Sequence, residues 1–404
     1  MRKNQTSVLG AFTTGMFLAL QLLSASAQDK TPTTPTRPVF RMPAVVKSAE
    51  ILPDNRVTFR LYAKEATDVK ISGDWMPGFG ASEPMVRNDT GLFSITVGPL
   101  KPELYSYTFI VNGVRVTDPN NPLTKRDGTR NESMFVIPGE GSDLYITKDV
   151  QHGSLLKVWY NSPVLSLMRR MYIYTPPGYE GSKSKYPVLY LLHGGGGDED
   201  AWTTLGRACQ ILDNLISQGK AKPMIVVMPN GNPGQPCAFT DAPPLPANAQ
   251  PQTMGDMAKG LFEESLVKDI IPYMEKHFRV LDDKNNRAVS GLSMGGMQTL
   301  TMAGKYSDKF GYYGVMSMGL VDRKAMGLPE NNDQDAQFET LKKSGYKLFW
   351  VGIGKDDFLY SSAQSLKTAL DKHGIQYTWR ESTGGHTWAN WRIYLSELAP
   401  KLFK

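Results

Sequence analysis

Two textures of hydrophobic and polar residues divide the chain. From about residue 45 to residue 138, apolar and polar positions alternate in short runs, at 56–63, 68–72, 92–97, 105–111 and 134–137. A period of two puts every second side chain on one face, so each run reads as a half-buried β-strand. Turn signals separate the runs, among them Asn112-Gly113 and Asp127-Gly128, dipeptides that favour tight hairpins. No sequence of helical period interrupts them, and the segment predicts an all-β, immunoglobulin-like sandwich over 41–140.

From about residue 144 the pattern changes. Apolar runs at 170–174, 188–192, 224–228, 287–291, 312–317 and 347–352 alternate with amphipathic stretches at 205–218, 260–278, 294–305 and 361–373, and 376–380 reads as a last strand. Strands apolar on both faces and separated by helices predict an α/β fold with a parallel central sheet covered on both sides, over 150–404. In such a sheet the reactive residues gather at the carboxyl ends of the strands.

The first 40 residues fit neither texture. Arg2 and Lys3, the mostly apolar run 8–23 and Ala25-Ser26-Ala27 have the form of a secretory signal peptide over 1–27. A Thr/Pro-rich linker follows over 28–40. Export to a periplasmic or extracellular location is expected. No cysteine near the cleavage site offers a lipid anchor, and no later run of 18 apolar residues offers a membrane span.

Composition narrows the class of partner. The chain is 41% hydrophobic and 21% charged, and its net charge of +6 includes Arg2 and Lys3 of the signal segment. Its basic residues are interspersed with acids, which argues against nucleic acid as a partner. Two cysteines, Cys209 and Cys237, are too few for a disulfide scaffold, and two free thiols is the simpler reading. With no His/Cys/carboxylate cluster at metal spacing in the sequence, neither a metal nor another cofactor is expected.

The run at 287–291 leads into Gly291-Leu292-Ser293-Met294-Gly295 and then into a helix. Gly-x-Ser-x-Gly between a strand and a helix is a nucleophile elbow, in which Ser293 is pushed out above the sheet at a helix N-terminus. Of five histidines, His277 and His373 end predicted helices and His152 lies at the junction of the two textures. His386, in Gly384-Gly385-His386-Thr387-Trp388, lies on a loop after the last strand, where an α/β-hydrolase places its general base. The orienting acid falls between serine and histidine in that chain order, and Lys355-Asp356-Asp357 ends the strand there. Asp357 is favoured as the buried partner, with Asp356, beside Lys355, as the solvated neighbour.

His193 opens the loop Gly194-Gly195-Gly196-Gly197, which has the form of an oxyanion-hole loop. The backbone N–H groups of Gly195 and Met294 are the expected donors, with Gly194 as a substitute and His193 in a structural role. Trp202, Phe239, Phe358, Trp388 and Trp391 lie near motif ends and are candidates for substrate binding, with core packing as the alternative. The proline-rich insertion 234–253 reads as a lid-like loop.

Val57-Thr58-Phe59-Arg60-Leu61-Tyr62-Ala63, Val69-Lys70-Ile71-Ser72-Gly73-Asp74-Trp75 and Leu104-Tyr105-Ser106-Tyr107, followed by Asp118-Pro119, resemble the early-set module of carbohydrate-binding module family 48. The resemblance implies either a sugar-binding module, with Trp75, Phe79 and Tyr105 as a stacking platform, or a spacer packed on an enzyme. Tyr190-Leu191-Leu192-His193-Gly194-Gly195-Gly196, Val226-Val227-Met228-Pro229-Asn230-Gly231, Ser290-Gly291-Leu292-Ser293-Met294-Gly295-Gly296, Gly354-Lys355-Asp356-Asp357-Phe358 and Gly385-His386-Thr387-Trp388 resemble family 1 carbohydrate esterases. That group contains feruloyl and acetyl xylan esterases, and its branch of the α/β-hydrolases also holds mycolyltransferases and enterobactin esterases. The family's Gly-x-x-Asp element falls on Gly354 to Asp357, which supports Asp357 as the acid. The resemblance implies a serine esterase acting on feruloylated or acetylated xylan through Ser293, Asp357 and His386. Hydrolysis of a siderophore or another acyl ester, and sugar binding without catalysis, are the alternatives.

Overall fold

The computed structural model describes residues 46–77, 80–243, 259–321 and 333–404. The expected signal peptide over 1–27, the linker over 28–40, Phe79, and residues 244–253 of the suggested lid lie outside the described residues.

The alternating runs form two facing sheets. One has the order β1 (Glu50–Ile51), β2 (Val57–Tyr62), β6 (Leu92–Val97), β5 (Val86–Arg87). The other runs β4 (Glu83–Pro84), β3 (Val69–Gly73), β7 (Leu104–Val111), β10 (Arg130–Val136), β9 (Thr124–Asp127), with β8 (Val114–Val116) added to β7. Val57, Phe59 and Leu61 from one sheet meet Val69, Ile71, Tyr107 and Phe109 from the other, which is the inward half of the period-two pattern. Asn112-Gly113 sits between β7 and β8 as predicted, whereas Asp127 ends β9, paired with Arg130, and the turn to β10 falls on Gly128 and Thr129. Asn112 has φ 46° and Gly113 φ 87°, the left-handed conformations that such a turn requires.

Trp75 and Tyr105, the candidates for sugar stacking, are turned onto this core. Trp75 stacks on Phe59 with centroids 5.4 Å apart, and Tyr105 stacks on Phe135 at 5.5 Å. Both rings are half-buried, and one face of each is used for packing on the sandwich core.

The second region is a mixed eight-stranded sheet. Its order is β11 (Ser154–Ser162), β12 (Leu167–Thr175), β14 (Ile225–Pro229), β13 (Val188–Leu192), β15 (Arg287–Leu292), β16 (Tyr312–Met316), β17 (Leu348–Gly354), β18 (Thr378–Ser382). From β14 to β18 all pairs are parallel, but β12 is antiparallel to both β11 and β14. The expected parallel central sheet is therefore present, and the antiparallel edge strand β11 was not anticipated. It is an edge strand with Leu155, Leu156 and Trp159 exposed, so its sequence lacks the apolar run of an inner strand. The connection to β12 is also too short for the crossover that a parallel pair needs.

The inner strands divide their side chains between two layers. Val188, Tyr190 and Leu192 pack with Phe262, Leu266 and Met274 on one face, and Leu189 and Leu191 pack with Ile211, Leu212 and Leu395 on the other. The predicted helix at 260–278 contains a π turn over Leu266–Ile270, between α-helical segments Leu261–Ser265 and Ile271–His277. Pro272 lacks the N–H that would continue the α pattern, and the wider turn accommodates that gap. The stretch expected as a helix at 205–218 is helical only over Ala208–Ser217, since Arg207 at φ 55° precedes its first turn, and a separate short helix, Ala201–Thr204, lies ahead of it.

The second layer continues into the sandwich. Leu104 and Met134 of β7 and β10 and the nearby Tyr145 belong to the same buried cluster as Trp202, Leu212 and Leu395. Arg392, 3% exposed, donates to Leu205 O at 2.8 Å and Glu103 Oε1 at 2.7 Å, with its guanidinium 4.8 Å from the Tyr145 ring centroid. Asn214 Nδ2 donates to the carbonyls of Leu144 and Ile146, so the connection between the two regions is itself packed down. Both cysteines are free, and burial pushes the Cys209 thiol up to about 12. Among the described residues, no helix is long and apolar enough to cross a membrane.

Candidate active site

Ser293 stands between β15, buried along its whole length, and the helix Met294–Lys305. Its φ of 51° and ψ of −116° place a non-glycine residue in a sparsely occupied region that typically costs about 1–3 kcal/mol. The surroundings hold it there: its N–H donates to Met316 O at 2.9 Å and its carbonyl accepts from Met297 N at 3.0 Å. The flanking glycines allow the close approach that makes the turn. A Cβ on Gly291 would lie 2.5 Å from the Gly295 backbone, and one on Gly295 would lie 2.7 Å from the carbonyl oxygens of Leu192 and His193.

Asp357 follows β17 and is 4% exposed. Both its oxygens accept from His386 Nδ1 at 3.0 Å, and Oδ1 also accepts the Leu359 N–H at 2.9 Å. Burial opposes ionisation of this carboxyl, but the hydrogen bonds from His386, Leu359 and Ser317 outweigh it and hold the group below the usual carboxylate range. An ionised acceptor fixes the proton of a neutral imidazole on Nδ1 and leaves Nε2 free to accept one. Asp356 is exposed and accepts the Gly384 N–H at 3.2 Å, so it braces the loop and does not face the ring. The His386 ring lies 4.5 Å from that of Phe358 and edge-on to Trp391 at 4.9 Å. Trp391 Nε1 in turn donates to Ser317 Oγ at 2.8 Å, which ties the helix Trp388–Leu398 to the floor beneath the acid.

Ser293 and His386 line one cavity of about 190 Å³, together with Gly194, Gly195 and Trp388. Gly195 belongs to the glycine loop after β13. Met294 opens its helix, where the first N–H groups have no intrahelical acceptor. His193 is buried with Nδ1 donating to Gly194 O at 2.7 Å and Nε2 accepting from Gly231 N at 2.8 Å, and burial lowers its pKa. It therefore joins the glycine loop to the loop after β14 as a neutral ring.

Beneath these loops lies a polar hub that sequence reading missed. Glu199, 1% exposed, accepts from Arg170 Nε at 2.7 Å, Asn230 Nδ2 at 3.1 Å and Ala238 N at 2.9 Å. Arg169 Nη2 donates to the carbonyls of Asn230 and Asn232, and Asn232 Nδ2 donates to Gly197 O at 2.9 Å. The adjacent pair Arg169-Arg170 inside an apolar strand was the one signal of it in the sequence.

The predicted aromatic residues separate. Trp388 and Trp391 reach the cavity. Trp202 does not: it is 1% exposed, its Nε1 donates to Leu192 O at 2.9 Å, and it meets Trp388 edge-on from behind at 5.3 Å. Phe239 is 51% exposed and absent from the cavity wall, while its neighbours Ala238 and Asp241 are tied to Glu199 and Arg170. Phe358 is 73% exposed and covers His386 without lining the cavity. One further wall residue, Asp127, comes from the sandwich and was not anticipated.

Comparison with known proteins bears on both regions. Residues 162–402 match the family model described as putative esterase, and residues 46–122 match carbohydrate-binding module 48, the isoamylase N-terminal domain. The chain is 32% identical over 364 residues to an endo-1,4-beta-xylanase/feruloyl esterase of Xylanibacter ruminicola, covering 86% of this chain and 44% of that protein. It is 23% identical over 287 residues to endo-1,4-beta-xylanase Y of Acetivibrio thermocellus, covering 65% of this chain and 24% of that one. The chain thus spans less than half the length of these two relatives. Among solved structures, a CE1 ferulic acid esterase from Anaeromyces mucronatus in complex with ferulic acid is 25% identical with a TM-score of 0.53, covering 65% of this chain and 95% of that one. The enterobactin esterase of Shigella flexneri, at 16% identity and a TM-score of 0.58, covers 85% of this chain and 92% of that one and shares the fold.

Proposed function

The chain belongs to the esterase family, a family of carboxylic-ester hydrolases, and from that premise we propose that it is a secreted enzyme removing feruloyl or acetyl groups from xylan-type polysaccharide. The observation that carries the reading is the pairing of His386 Nδ1 with both oxygens of buried Asp357, on the wall of the cavity that Ser293 enters from its strained turn.

In this reading His386 Nε2 takes the proton of the Ser293 hydroxyl as the oxygen attacks the ester carbonyl. The backbone N–H groups of Gly195 and Met294 stabilise the oxyanion, and Asp357 stabilises the imidazolium. The imidazolium then protonates the departing sugar oxygen. Water, deprotonated by the same histidine, releases the acid and regenerates Ser293. A cavity of about 190 Å³ suits an acyl group built on one aromatic ring, since a cavity of about 150 Å³ holds benzene.

Hydrolysis of methyl ferulate and of acetylated xylan, by wild type and Ser293→Ala, tests this. Release of ferulate by wild type and not by the variant supports the feruloyl reading. Release of acetate alone moves the substrate to acetyl groups. Release of neither, with hydrolysis of a catecholate trilactone, replaces it with the siderophore reading.

A further inference from the structure

Asp127 lines the cavity beside Ser293 and His386, although it is the last residue of β9, at the tight turn into β10 of the N-terminal sandwich. It is exposed, and among the described residues its carboxylate has no hydrogen bond or ion pair. Its chain neighbours, by contrast, are fixed. Arg126 donates to Asp198 Oδ1 at 2.8 Å and Asp200 Oδ2 at 3.2 Å, just beyond the glycine loop, and to Gly128 O at 2.6 Å across the turn. The Asp198 side chain is 1% exposed, so withdrawing the guanidinium leaves a buried carboxylate uncompensated. Gly128 has φ 58°, and a Cβ there would stand 3.1 Å from Gly196 O, which places the turn directly on the glycine loop.

The result is an unpartnered carboxylate on an immobilised arm at the edge of the cavity. A carboxylate is an acceptor only, so its complement is a hydroxyl donor. The remaining wall is divided in character: Ala201, Leu292, Trp388 and Trp391 offer apolar surface to an acyl group, and Asp127 offers charge. Resting on the esterase reading above, we infer that Asp127 is a specificity-determining residue that accepts hydrogen bonds from sugar hydroxyls on the alcohol side of the ester. The N-terminal module completes the substrate site through the end of one strand.

The test compares kcat/KM of the full chain for a feruloylated xylan oligosaccharide with that for methyl ferulate, whose alcohol carries no further hydroxyl. Loss of a charge-assisted hydrogen bond predicts that Asp127→Ala lowers the ratio of the two by about tenfold to a hundredfold, chiefly through KM, and that Asp127→Asn lowers it less. An unchanged ratio, with wild type active on both esters, overturns this inference alone. A loss on methyl ferulate that is absent on methyl cinnamate, which lacks the phenol, also overturns it by putting Asp127 on the acyl side. Wild type inactive on every one of these esters overturns the inference and the feruloyl reading together.

Discussion

Glu263→Gln makes the protein more stable at alkaline pH than at acidic pH, relative to wild type. Glu263, in the helical segment Leu261–Ser265, lies beside Thr301 and Lys305 of the helix Met294–Lys305, is 2% exposed, and its Oε2 meets no hydrogen-bond partner among the described residues. Burial, only partly offset by the Glu263 backbone, Lys305 and Thr301, pushes its carboxyl up from 4.5 to about 7. Between those values the folded protein keeps the proton and the unfolded chain releases it, so wild-type stability falls as pH rises through that window. At 1.36 kcal/mol per pH unit, the full effect is about 3 kcal/mol above pH 7, and about 2 to 3 kcal/mol of it falls between pH 5 and pH 8. Glutamine keeps the shape and has no proton to lose. Urea denaturation of both proteins at pH 5 and pH 8 gives the difference in unfolding free energy at each, and that difference shifts toward the variant by this amount. A difference that stays constant with pH, or moves the other way, refutes the assignment of a buried, proton-retaining carboxyl.

Four further outcomes follow from the geometry. Asp357→Asn leaves the fold in place, as circular dichroism would report, and lowers kcat by about 10⁴, because the amide no longer holds the His386 proton on Nδ1. Because the folded-state pKa of Asp357 is depressed, its contribution to stability is present above 3.8 and disappears as pH falls through the lowered value; acid denaturation curves of wild type and Asp357→Asn therefore converge at the acid end. Ser293→Gly abolishes turnover yet raises the unfolding free energy by about 1 kcal/mol, since glycine adopts the positive φ without the strain; an unchanged or lowered melting temperature contradicts this. Gly295→Ala forces the helix away from the carbonyls of Leu192 and His193, separates the two proposed oxyanion donors and lowers kcat by about 10² or more in steady-state assays.

The elbow at Ser293 and the pairing of Asp357 with His386, the proposed acid and base, were legible in the sequence for a physical reason. Ser293 and Asp357 follow the inner strands β15 and β17, which announce themselves as apolar runs, while His386 follows the edge strand β18 and was marked by its Gly-Gly loop and its place in chain order. The choice between Asp356 and Asp357 had a local cue in Lys355, and the observed burial of Asp357 against His386 agrees with it. Residues whose position depends on contacts far along the chain were illegible. Trp202 and Trp388 are both aromatic residues near motif ends, and only the packing of helix Trp388–Leu398 puts one in the cavity and the other behind it. β11 escaped notice because an edge strand needs no apolar periodicity. Asp127 escaped notice because nothing in a turn dipeptide says which other domain the turn will touch.

The buried cluster that contains both Leu104 and Leu395 bears on how freely these modules can be exchanged. Beads joined by a string can be cut apart and re-threaded in a new order. Here the seam runs through hydrocarbon, and Arg392 is stitched to Glu103 across it. An esterase severed from its sandwich would present Tyr145's contacts and the flank of Leu395's cluster as a raw apolar wound. Grafting a different N-terminal module onto this enzyme therefore requires re-cutting both sides of the seam. Any lineage that recombined the two would inherit them as one heritable unit, with selection on the catalyst acting on the sandwich as well.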